Sequence, residues 1–197
     1  MKLLSFLLGY LIGSVCISIL LSRLLFHTDI RTQGSGNAGA ANAARVFGMG
    51  VGLATFAGDF LKTVLAMWLG RLLAGEIGLV LAGFGALIGH CWPVWFRLRG
   101  GKAVSSGAAA AFMLSRPLFL CALLAYALGA ILSRKASVAS LSGAAAVGVG
   151  AFFLIDGPLR IALAVFAAAL IFFMHRSNLR RLKAGTEPNF SFGKHKS

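Results

Sequence analysis

Three polar segments interrupt the long apolar runs of this chain, and each carries residue types that bind phosphate. The first, residues 34–45, reads Gly-Ser-Gly-Asn-Ala-Gly-Ala-Ala-Asn-Ala-Ala-Arg. Glycines let backbone N–H groups approach an anion closely, serine and asparagine side chains add donors, and arginine adds a fixed positive charge. Packing in lipid requires none of these residue types, so we predict a phosphate site. Its candidate residues are Gly34, Ser35, Gly36, Asn37, Gly39, Asn42 and Arg45.

A second polar segment ends in Gly100-Gly101-Lys102, just before a short apolar run. Such a sequence offers free backbone donors, a helix N-terminus and a mobile ammonium group, and this combination suits a small phosphate. We therefore predict that these three residues bind substrate. Trp92 and Trp95 in the same segment are typical of anchors at a membrane interface.

The third polar segment begins at His175, where the last apolar run ends. His175 and Asn178 are three positions apart, so they share one face if the helix continues. His175 is the best candidate for a general base, and Asn178 is a candidate catalytic neighbour. Ser140 adds a hydroxyl group on the same side, although serines within membrane helices are more often packing residues.

Asp59 and Lys62 stand three positions apart inside the second apolar run. A charge at that depth is costly unless it is paired or functional. Both side chains lie on one helix face at this spacing. Two interpretations stay open, an internal ion pair and a pair that supports the site.

The composition indicates an integral membrane protein. Of 197 residues, 58% are hydrophobic and 12% are charged, and the mean hydropathy is +0.86. A soluble domain carries about twice that charged fraction. The apolar runs are longer than the strands of about 10 residues that build membrane barrels, and they lack the alternation of such strands. We therefore predict an all-α membrane protein.

The net charge of +14 would suggest nucleic-acid binding in a soluble protein. Here the concentration of Lys and Arg on the cytoplasmic side of the membrane explains it, and we expect no nucleic-acid partner. With the N-terminus outside and seven crossings, thirteen of these residues fall inside and four outside. The inside set includes Lys194 and Lys196, and the outside set is Lys2, Arg71, Arg116 and Arg160. The C-terminus is then cytoplasmic.

We predict a single polytopic domain over residues 1–197 with about seven transmembrane helices. The apolar runs are 3–26, 51–70, 77–96, 103–115, 117–133, 137–155 and 158–175. The run 103–115 reaches only about 20 Å, against a hydrocarbon core of about 30 Å. It is a short helix or a re-entrant segment, and five full spans plus such segments are the alternative. Glycine pairs spaced four apart predict close helix packing, Gly9 with Gly13, Gly48 with Gly52, and Gly85 with Gly89.

The context of two motifs excludes other kinds of site. Gly34–Gly39 matches the G-x-G-x-x-G of dinucleotide folds, but that fingerprint needs a preceding strand, and an apolar helix precedes it here. Cys16, Cys91 and Cys121 lie in apolar runs without metal-ligand spacing. We therefore expect no metal and no cofactor.

The three polar segments and one apolar run together form a recognisable pattern. It consists of G-S-G-N-x-G-A-x-N-x-x-R at 34–45, D-F-L-K at 59–62, G-H-x-x-P-V-[WF]-x-x-x-x-G-G-K at 89–102 and H-R-x-N-[LI]-x-R-L-x-x-G-T-E at 175–187. This pattern resembles the bacterial acyl-phosphate:glycerol-3-phosphate acyltransferases, the PlsY family, over nearly the whole chain. The chain departs from the family pattern at Ala41, Thr63 and Ala103, and none of these removes a charged group.

The resemblance implies seven membrane helices with the N-terminus outside, in the bacterial inner membrane, and a site that faces the cytoplasm. It implies transfer of a fatty acyl group from acyl phosphate to the sn-1 hydroxyl of glycerol 3-phosphate, which gives lysophosphatidic acid and inorganic phosphate at the start of phospholipid synthesis. By position, the resemblance assigns substrate-binding or catalytic roles to Ser35, Arg45, Lys102, His175 and Asn178, the glycerol-phosphate loop to Gly100 and Gly101, and a polar contact to Ser140. Glu187 corresponds to a residue needed for integrity.

This chemistry suits the residues, because an acyl phosphate is already activated and the protein mainly has to hold two anions together. We expect Arg45, Lys102 and Asn178 to bind substrate phosphate, and Ser35 with the loop amides to hold the acyl-phosphate end. The proton goes either to His175 or to the phosphate of the substrate itself. An acyl-enzyme on Ser35 is a lesser alternative, because no His–Asp partner is evident nearby.

Two rival functions are less consistent with the sequence. Acyltransferases of the coenzyme A type need a histidine followed by aspartate five positions later, and no histidine of this chain has one. A membrane transporter for small phosphorylated anions is the alternative function. It would favour duplicated halves with helices broken at mid-membrane, and the sequence has no such repeat.

Overall fold

The computed structural model describes residues 1–190, and Lys194 and Lys196 lie outside them. Within that range the chain forms nine α-helices and no strand, so the all-α prediction is confirmed. The helices are α1 (Lys2–Gly13), α2 (Ile17–Phe26), α3 (Ala40–Phe47), α4 (Met49–Cys91), α5 (Val104–Leu114), α6 (Arg116–Ser133), α7 (Ala136–Leu154), α8 (Pro158–Met174) and α9 (Arg176–Lys183). Short 3₁₀ helices add Ile30–Thr32 and Val94–Phe96.

The first apolar run is two helices rather than one, because the chain breaks between α1 and α2. The break frees the carbonyl of Val15, and the ammonium group of Lys62 donates a hydrogen bond to it over 2.5 Å. An unpaired backbone group in lipid costs several kcal/mol. Lys62 therefore satisfies a backbone group that the break leaves open.

The long helix α4 consists of two antiparallel arms, 49–73 and 76–91. Ala74 and Gly75 between them have non-helical backbone angles, and the φ of +60° at Gly75 suits glycine. A methyl group on Gly70 or Gly78 would collide with the backbone of the other glycine. In a straight helix these two residues would be about 12 Å apart, so the chain reverses direction. The arms correspond to the second and third predicted apolar runs.

Glycines let α1 pack in parallel on the second arm of α4. Gly9 and Gly13 leave no room for a side chain against the backbone of that arm. Gly85 and Gly89 leave none against the backbone of α1. The close packing predicted for these two pairs is confirmed, as small residues at a membrane helix interface allow.

The third glycine pair differs from the prediction. Gly52 packs tightly on Ala44, as expected for close packing of α3 and α4. Gly48 is instead the turn between these helices, with a φ of +92° and open space where a side chain would stand. The packing prediction was wrong for Gly48 because the chain turns there, so this glycine is needed for its backbone angle.

The short predicted run 103–115 contains α5, which is buried against α4, α6 and α8. Its 11 residues extend about 16 Å at 1.5 Å per residue. Arg160 in the first turn of α8 donates a hydrogen bond to the carbonyl of Leu114 at the end of α5. The end of α5 and the start of α8 therefore lie on the same face, opposite the loop that carries Lys102. Met67, Leu87, Leu118 and Leu163 are fully buried in the core that α4, α6 and α8 share.

Each predicted apolar run after the first coincides with one helix or with one arm of α4, and the first run contains both α1 and α2. By length and apolar composition, four segments of the described range qualify as spans: Lys2–Phe26, Met49–Phe96, Arg116–Ser133 and Ala136–Leu154. A fifth results if α8 and α9, which meet at a bend of 55°, count as one span. The number of crossings and the side on which each terminus lies stay predictions.

Candidate active site

One cavity of about 680 Å³ brings the three polar segments together. The polar part of its lining includes Ser35, Asn37, Asn42, Arg45, Lys102, Ser140, His175, Asn178, Arg181 and Glu187. The apolar part comes from the six helices α3 to α8 and includes Met49, Leu53, Phe56, Phe119, Leu123, Val147 and Ile171. Residues as far apart in the sequence as Ser35 and Glu187 thus face one space. Gly34, Gly100 and Gly101 are not part of the lining.

Asn42 organises the first polar loop. This side chain is only 1% exposed, and its Oδ1 accepts the N–H of Ser35 over 2.8 Å. Its Nδ2 lies 3.0–3.3 Å from the carbonyl oxygens of Ile30, Gln33 and Asn37. Gly34, with a φ of +56°, fits against Asn42 because it has no side chain. Asn42 therefore acts on the cavity through the loop that it holds in place.

The loop amides are only partly available to an anion. The N–H groups of Ser35, Gly36 and Gly39 all donate hydrogen bonds within residues 33–42. No described residue accepts a hydrogen bond from the N–H groups of Ala40 and Ala41, which begin α3 and line the cavity. The N-terminus of a helix is a favourable place for a phosphate. The free backbone donors of this segment therefore include the amides of Ala40 and Ala41, whereas those of Gly36 and Gly39 are already bonded.

Arg45 lies on α3 at the wall of the cavity and is half-buried. Among residues 1–190, no group forms an ion pair with its guanidinium or accepts a hydrogen bond from it. A half-buried arginine without a protein partner is suited to bind an anionic ligand with charge-assisted hydrogen bonds.

Lys102 joins the second polar segment to the third, because its Nζ donates a hydrogen bond to Oδ1 of Asn178. Burial and, to a lesser extent, the nearby charges of Arg181 and Arg45 together lower the pKa of Lys102 to about 8, although the carboxylate of Glu187 opposes this shift. The polar end of the cavity is therefore strongly electropositive. A bound phosphate would offset the repulsion among these cations.

The amides of the two glycines before Lys102 are hydrogen-bonded within the protein. The N–H of Gly100 donates to the carbonyl of Cys91 over 3.1 Å, and that of Gly101 donates to the carbonyl of His90 over 3.0 Å. The prediction that these two amides are free donors was wrong, because the loop folds back on the end of α4. The glycines are needed for this close approach, since a side chain on either would collide with α4.

His175 lies at the bend between α8 and α9 and is 4% exposed. Its Nδ1 lies 2.8 Å from the carbonyl oxygen of Ile171. A carbonyl oxygen only accepts, so Nδ1 carries the proton of the neutral ring, and Nε2 has a free lone pair. No described residue hydrogen-bonds to Nε2. The ring is therefore oriented by its own helix, and Nε2 is available as a base.

Asn178 and Glu187 are both buried, and they continue the series of hydrogen bonds that begins at Lys102. Nδ2 of Asn178 donates to Oε1 of Glu187 over 2.7 Å, and Nε of Arg181 donates to Oε2 over 2.7 Å. Burial alone would raise the pKa of Glu187, but the hydrogen bonds from Asn178 and Arg181 outweigh burial and lower the pKa. The carboxylate thus ties α9 to the chain that follows it.

Arg181 is a cavity residue that the sequence reasoning missed. His175, Asn178 and Arg181 stand at intervals of three, which places them on neighbouring positions of one helix face. Continuing the spacing by one more step would have identified Arg181 beside Asn178.

Ser35 and Ser140, both predicted to contact substrate, lie at different depths of the cavity. Ser35 is exposed at the rim, and within residues 1–190 its hydroxyl has no hydrogen-bond partner. Ser140 is buried in α7, where its hydroxyl donates to the carbonyl of Ala136 over 2.8 Å. No described histidine or carboxylate is bonded to Ser35, so nothing in the geometry activates it as a nucleophile.

Asp59, Lys62 and His90 form a buried cluster at the edge of the cavity. Nζ of Lys62 lies 2.7 Å from Oδ1 of Asp59 and 3.2 Å from Nδ1 of His90. Of the two interpretations of this pair, the internal ion pair is therefore present. Asp59 and His90 also line the cavity.

The apolar part of the cavity opens sideways between α4 and α6. Leu53 on α4 and Leu123 on α6 line the cavity, yet they are 60% and 50% exposed. Side chains that face both the cavity and the outside mark an opening, which we call the lateral slit. Phe119 of α6 bounds it towards the face opposite Lys102, packed edge-on against Phe60 and Phe112 at centroid distances of 6.0 and 5.5 Å.

Comparison with known proteins identifies the family. The family model for glycerol-3-phosphate acyltransferase matches residues 3–185. A glycerol-3-phosphate acyltransferase of Symbiobacterium thermophilum is 41% identical over 91% of this chain and 90% of its own length. One of Rubrobacter xylanophilus is 40% identical over 96% of both chains.

Solved structures give the same result. The chain is similar to the crystal structure of PlsY (YgiH), an integral membrane glycerol 3-phosphate acyltransferase, in its glycerol 3-phosphate form. The TM-score is 0.91 at 29% identity, covering 96% of each chain. The lysophosphatidic acid form of the same enzyme matches with a TM-score of 0.86 at 28% identity, over 97% of this chain and 96% of that one. The chain therefore belongs to the glycerol-3-phosphate acyltransferase family, and it is an integral membrane acyltransferase.

Proposed function

We propose that the protein transfers a fatty acyl group from acyl phosphate to the sn-1 hydroxyl of glycerol 3-phosphate, giving lysophosphatidic acid and inorganic phosphate. The observation that carries this proposal is one cavity with a cationic end and an apolar part that opens sideways. Such a cavity fits two phosphates and one acyl chain at the same time. We place it in the bacterial inner membrane with the cationic end facing the cytoplasm, where glycerol 3-phosphate is dissolved.

The charges at the cationic end suit glycerol 3-phosphate. Arg45, Lys102 and Arg181 face this end, and Glu187 is the carboxylate that opposes them. Asp59 also lines the cavity, but Lys62 neutralises it. The excess of cations matches a phosphate that carries about two negative charges near pH 7. In this proposal Arg45 and Lys102 hold the phosphate, and Asn178 orients the ammonium group of Lys102.

The lateral slit suits the acyl donor. Its walls are apolar and exposed at Leu53 and Leu123, so an acyl chain can remain in contact with lipid while its phosphate lies in the cavity. The phosphate end would lie near Ser35 and the free amides of Ala40 and Ala41 at the start of α3. The apolar slit thus suits the acyl chain of the donor, and the polar groups near Ser35 suit its phosphate.

The transfer needs little from the protein beyond positioning, because the acyl phosphate is already activated. The sn-1 hydroxyl oxygen attacks the acyl carbon, and the bond between that carbon and the bridging phosphate oxygen breaks. The electron pair leaves with inorganic phosphate. Fixed cations and amides stabilise the negative charge that develops on the carbonyl oxygen and on the leaving phosphate.

The proton of the attacking hydroxyl has two acceptors within this scheme. Nε2 of His175 is one, since its lone pair is free and the ring is held by the carbonyl of Ile171. The phosphate of the substrate itself is the other. Changing His175 to Gln keeps a polar side chain and removes the base. A loss of kcat of at least about a hundredfold with an unchanged KM supports His175 as the acceptor.

The decisive experiment uses purified protein in detergent or lipid. We expect phosphate release from palmitoyl phosphate only when glycerol 3-phosphate is present, with lysophosphatidic acid formed in equal amount. Lys102→Met, which keeps the length of the side chain and removes its charge, serves as the inactive control. Uptake of glycerol 3-phosphate into vesicles without phosphate release would overturn the proposal and support a transporter. An acylated Ser35 trapped from palmitoyl phosphate alone would replace direct transfer by a two-step reaction.

A further inference from the structure

Lys62 is the centre of a buried cluster of charged and polar groups inside the protein. Its ammonium group contacts the carboxylate of Asp59 at 2.7 Å, Nδ1 of His90 at 3.2 Å and the carbonyl of Val15 at 2.5 Å. Of the three protons of the ammonium group, one is donated to the carbonyl of Val15 and one to Nδ1 of His90, and the contact with Asp59 is an ion pair. The cluster therefore ties both arms of α4 to the break between α1 and α2.

The cluster also determines how the ring of His90 lies. Since the ammonium group of Lys62 only donates, Nδ1 of His90 must accept, and the proton of the neutral ring is on Nε2. The side chain of His90 is 3% exposed, so water does not compete for Nδ1. Nε2 is on the opposite edge of the ring, which faces the loop before Lys102.

Gly101 lies directly against that edge of His90. A methyl group on Gly101 would overlap Nε2 of His90 and would come within 2.8 Å of the carbonyl oxygen of Ala38. The N–H of Gly101 donates to the carbonyl of His90 over 3.0 Å. The ring and the backbone of one residue thus hold Gly101, and Lys102 follows it in the chain. The carbonyl of Ala38, in the first polar segment, therefore lies next to Gly101 in the second polar segment.

We propose that Asp59, Lys62 and His90 are positioning residues for glycerol 3-phosphate, which orient the His90 ring so that Gly101 places Lys102 in the cavity. This inference rests on the proposed function, in which Lys102 binds the phosphate of glycerol 3-phosphate. The cluster acts through two contacts in series, from the ammonium group to the imidazole and from the imidazole to Gly101. It touches neither substrate nor the reacting atoms in this scheme.

The main test changes His90 to Phe, which keeps a flat ring and removes the acceptor for Lys62. We expect the Kd for glycerol 3-phosphate, measured by calorimetry without acyl donor, to rise about tenfold or more, because a small displacement of Lys102 weakens phosphate binding. The KM for glycerol 3-phosphate rises by a similar factor, and kcat changes less. An unchanged Kd in folded His90→Phe protein overturns the proposal.

A double-mutant cycle separates positioning from a purely structural ion pair. The second change, Asp59→Asn with Lys62→Met, removes both charges together and leaves no unpaired charge in the interior. If the charges act through His90, this protein, His90→Phe and the combination of the two raise Kd by the same factor. A structural pair predicts instead a wild-type Kd for the Asp59→Asn, Lys62→Met protein, with a change confined to thermal stability.

The far end of the same helix offers a matched control. Arg71 and Glu76 form an exposed ion pair at 2.8 Å beside the turn between the arms of α4. Changing both to Gln removes an ion pair from α4 without contact to the loop before Lys102, so the Kd should stay at the wild-type value. Failure of the wild-type protein to bind glycerol 3-phosphate contradicts the proposed function. Binding that is equal in wild type and His90→Phe contradicts only the positioning role.

Discussion

Nζ of Lys102 donates a hydrogen bond to Oδ1 of Asn178, and this bond joins the loop before α5 to α9 across 76 positions of the sequence. Asn178 in turn donates to Glu187, so three residues from two polar segments hold one another. The cationic end of the cavity is thus complete only when the last helix lies against the loop of Lys102. The predictions that follow test this arrangement and the cavity around it.

The first prediction concerns the pH dependence set by Lys102. Its pKa is lowered to about 8, so the protonated form is lost from free enzyme as the pH rises through 8. We expect kcat/KM for glycerol 3-phosphate to fall above that pH, approaching about tenfold per unit. Lys102→Arg removes this fall, because a guanidinium stays charged throughout the range. The same decline in both proteins would assign the titration to another group.

The second prediction compares two arginines on the same side of the protein. Arg45 lies at the cavity without a described protein partner, whereas Arg180 is exposed on α9 outside the cavity. Arg45→Gln should raise the KM for glycerol 3-phosphate about ten- to a hundredfold, the value of a charge-assisted hydrogen bond, and should leave the Tm nearly unchanged. Arg180→Gln should change neither quantity. A large fall in Tm for Arg45→Gln contradicts a role in binding alone.

The third prediction concerns the loop that Asn42 holds. Asn42→Asp keeps an acceptor for the N–H of Ser35 but loses the donor to the carbonyls of Gln33 and Asn37. Each buried group left without a partner costs about 1–3 kcal/mol. We expect faster hydrogen exchange in residues 33–39 and a lower rate of transfer. Unchanged exchange in that loop, measured by mass spectrometry, would show that the loop does not depend on this side chain.

The fourth prediction concerns the length of the acyl chain. Phe119 bounds the lateral slit towards the far face and packs against Phe60 and Phe112. Phe119→Ala should lengthen the apolar space and favour stearoyl over palmitoyl phosphate in kcat/KM by about tenfold, since a few methylene groups in an apolar pocket have that effect. Phe152→Ala, which removes an exposed ring of α7, is the control. Equal shifts in both variants would rule out a specific role of Phe119.

The fifth prediction tests the orientation. Arg71 lies at the turn of α4, and Arg134 lies at the opposite end of the bundle, beside the chain that follows Glu187. In a protein whose own three cysteines are changed to Ala, we expect a membrane-impermeant maleimide added to whole cells to label Arg71→Cys but not Arg134→Cys. Inside-out vesicles should give the reverse. The opposite pattern would place the cavity on the outer face and contradict the proposed function.

The sequence predicted which segments form the site better than it predicted their contacts. Glycine, charge and apolar length are local properties, so the three polar segments and the seven apolar runs were evident from them. The partners of Gly100 and Gly101 were not, because their amides bind carbonyls at the end of α4 that only the folded loop brings close. The error came from counting backbone donors without their tertiary acceptors.

The break between α1 and α2 is a second feature that depends on tertiary contacts and could not be predicted from the sequence pattern. The first apolar run has no proline or charge at that point, so its interruption between Ser14 and Cys16 was not evident. The explanation lies 47 positions away, in the ammonium group of Lys62 that binds the carbonyl of Val15. A sequence pattern shows the unusual lysine, but the carbonyl that it satisfies depends on how α1 and α4 pack.

The lateral slit has a consequence for how the rate depends on the membrane. If the acyl donor reaches the cavity from within the leaflet, its effective concentration is its mole fraction among the lipids. The volume of the surrounding water then does not affect the rate. Adding inert phospholipid at constant donor should therefore slow the reaction by surface dilution, whereas diluting the whole suspension with buffer at saturating glycerol 3-phosphate should not. In the proposed reaction, the lipid product would leave by the same opening and stay in the leaflet, available to the next enzyme that acts there.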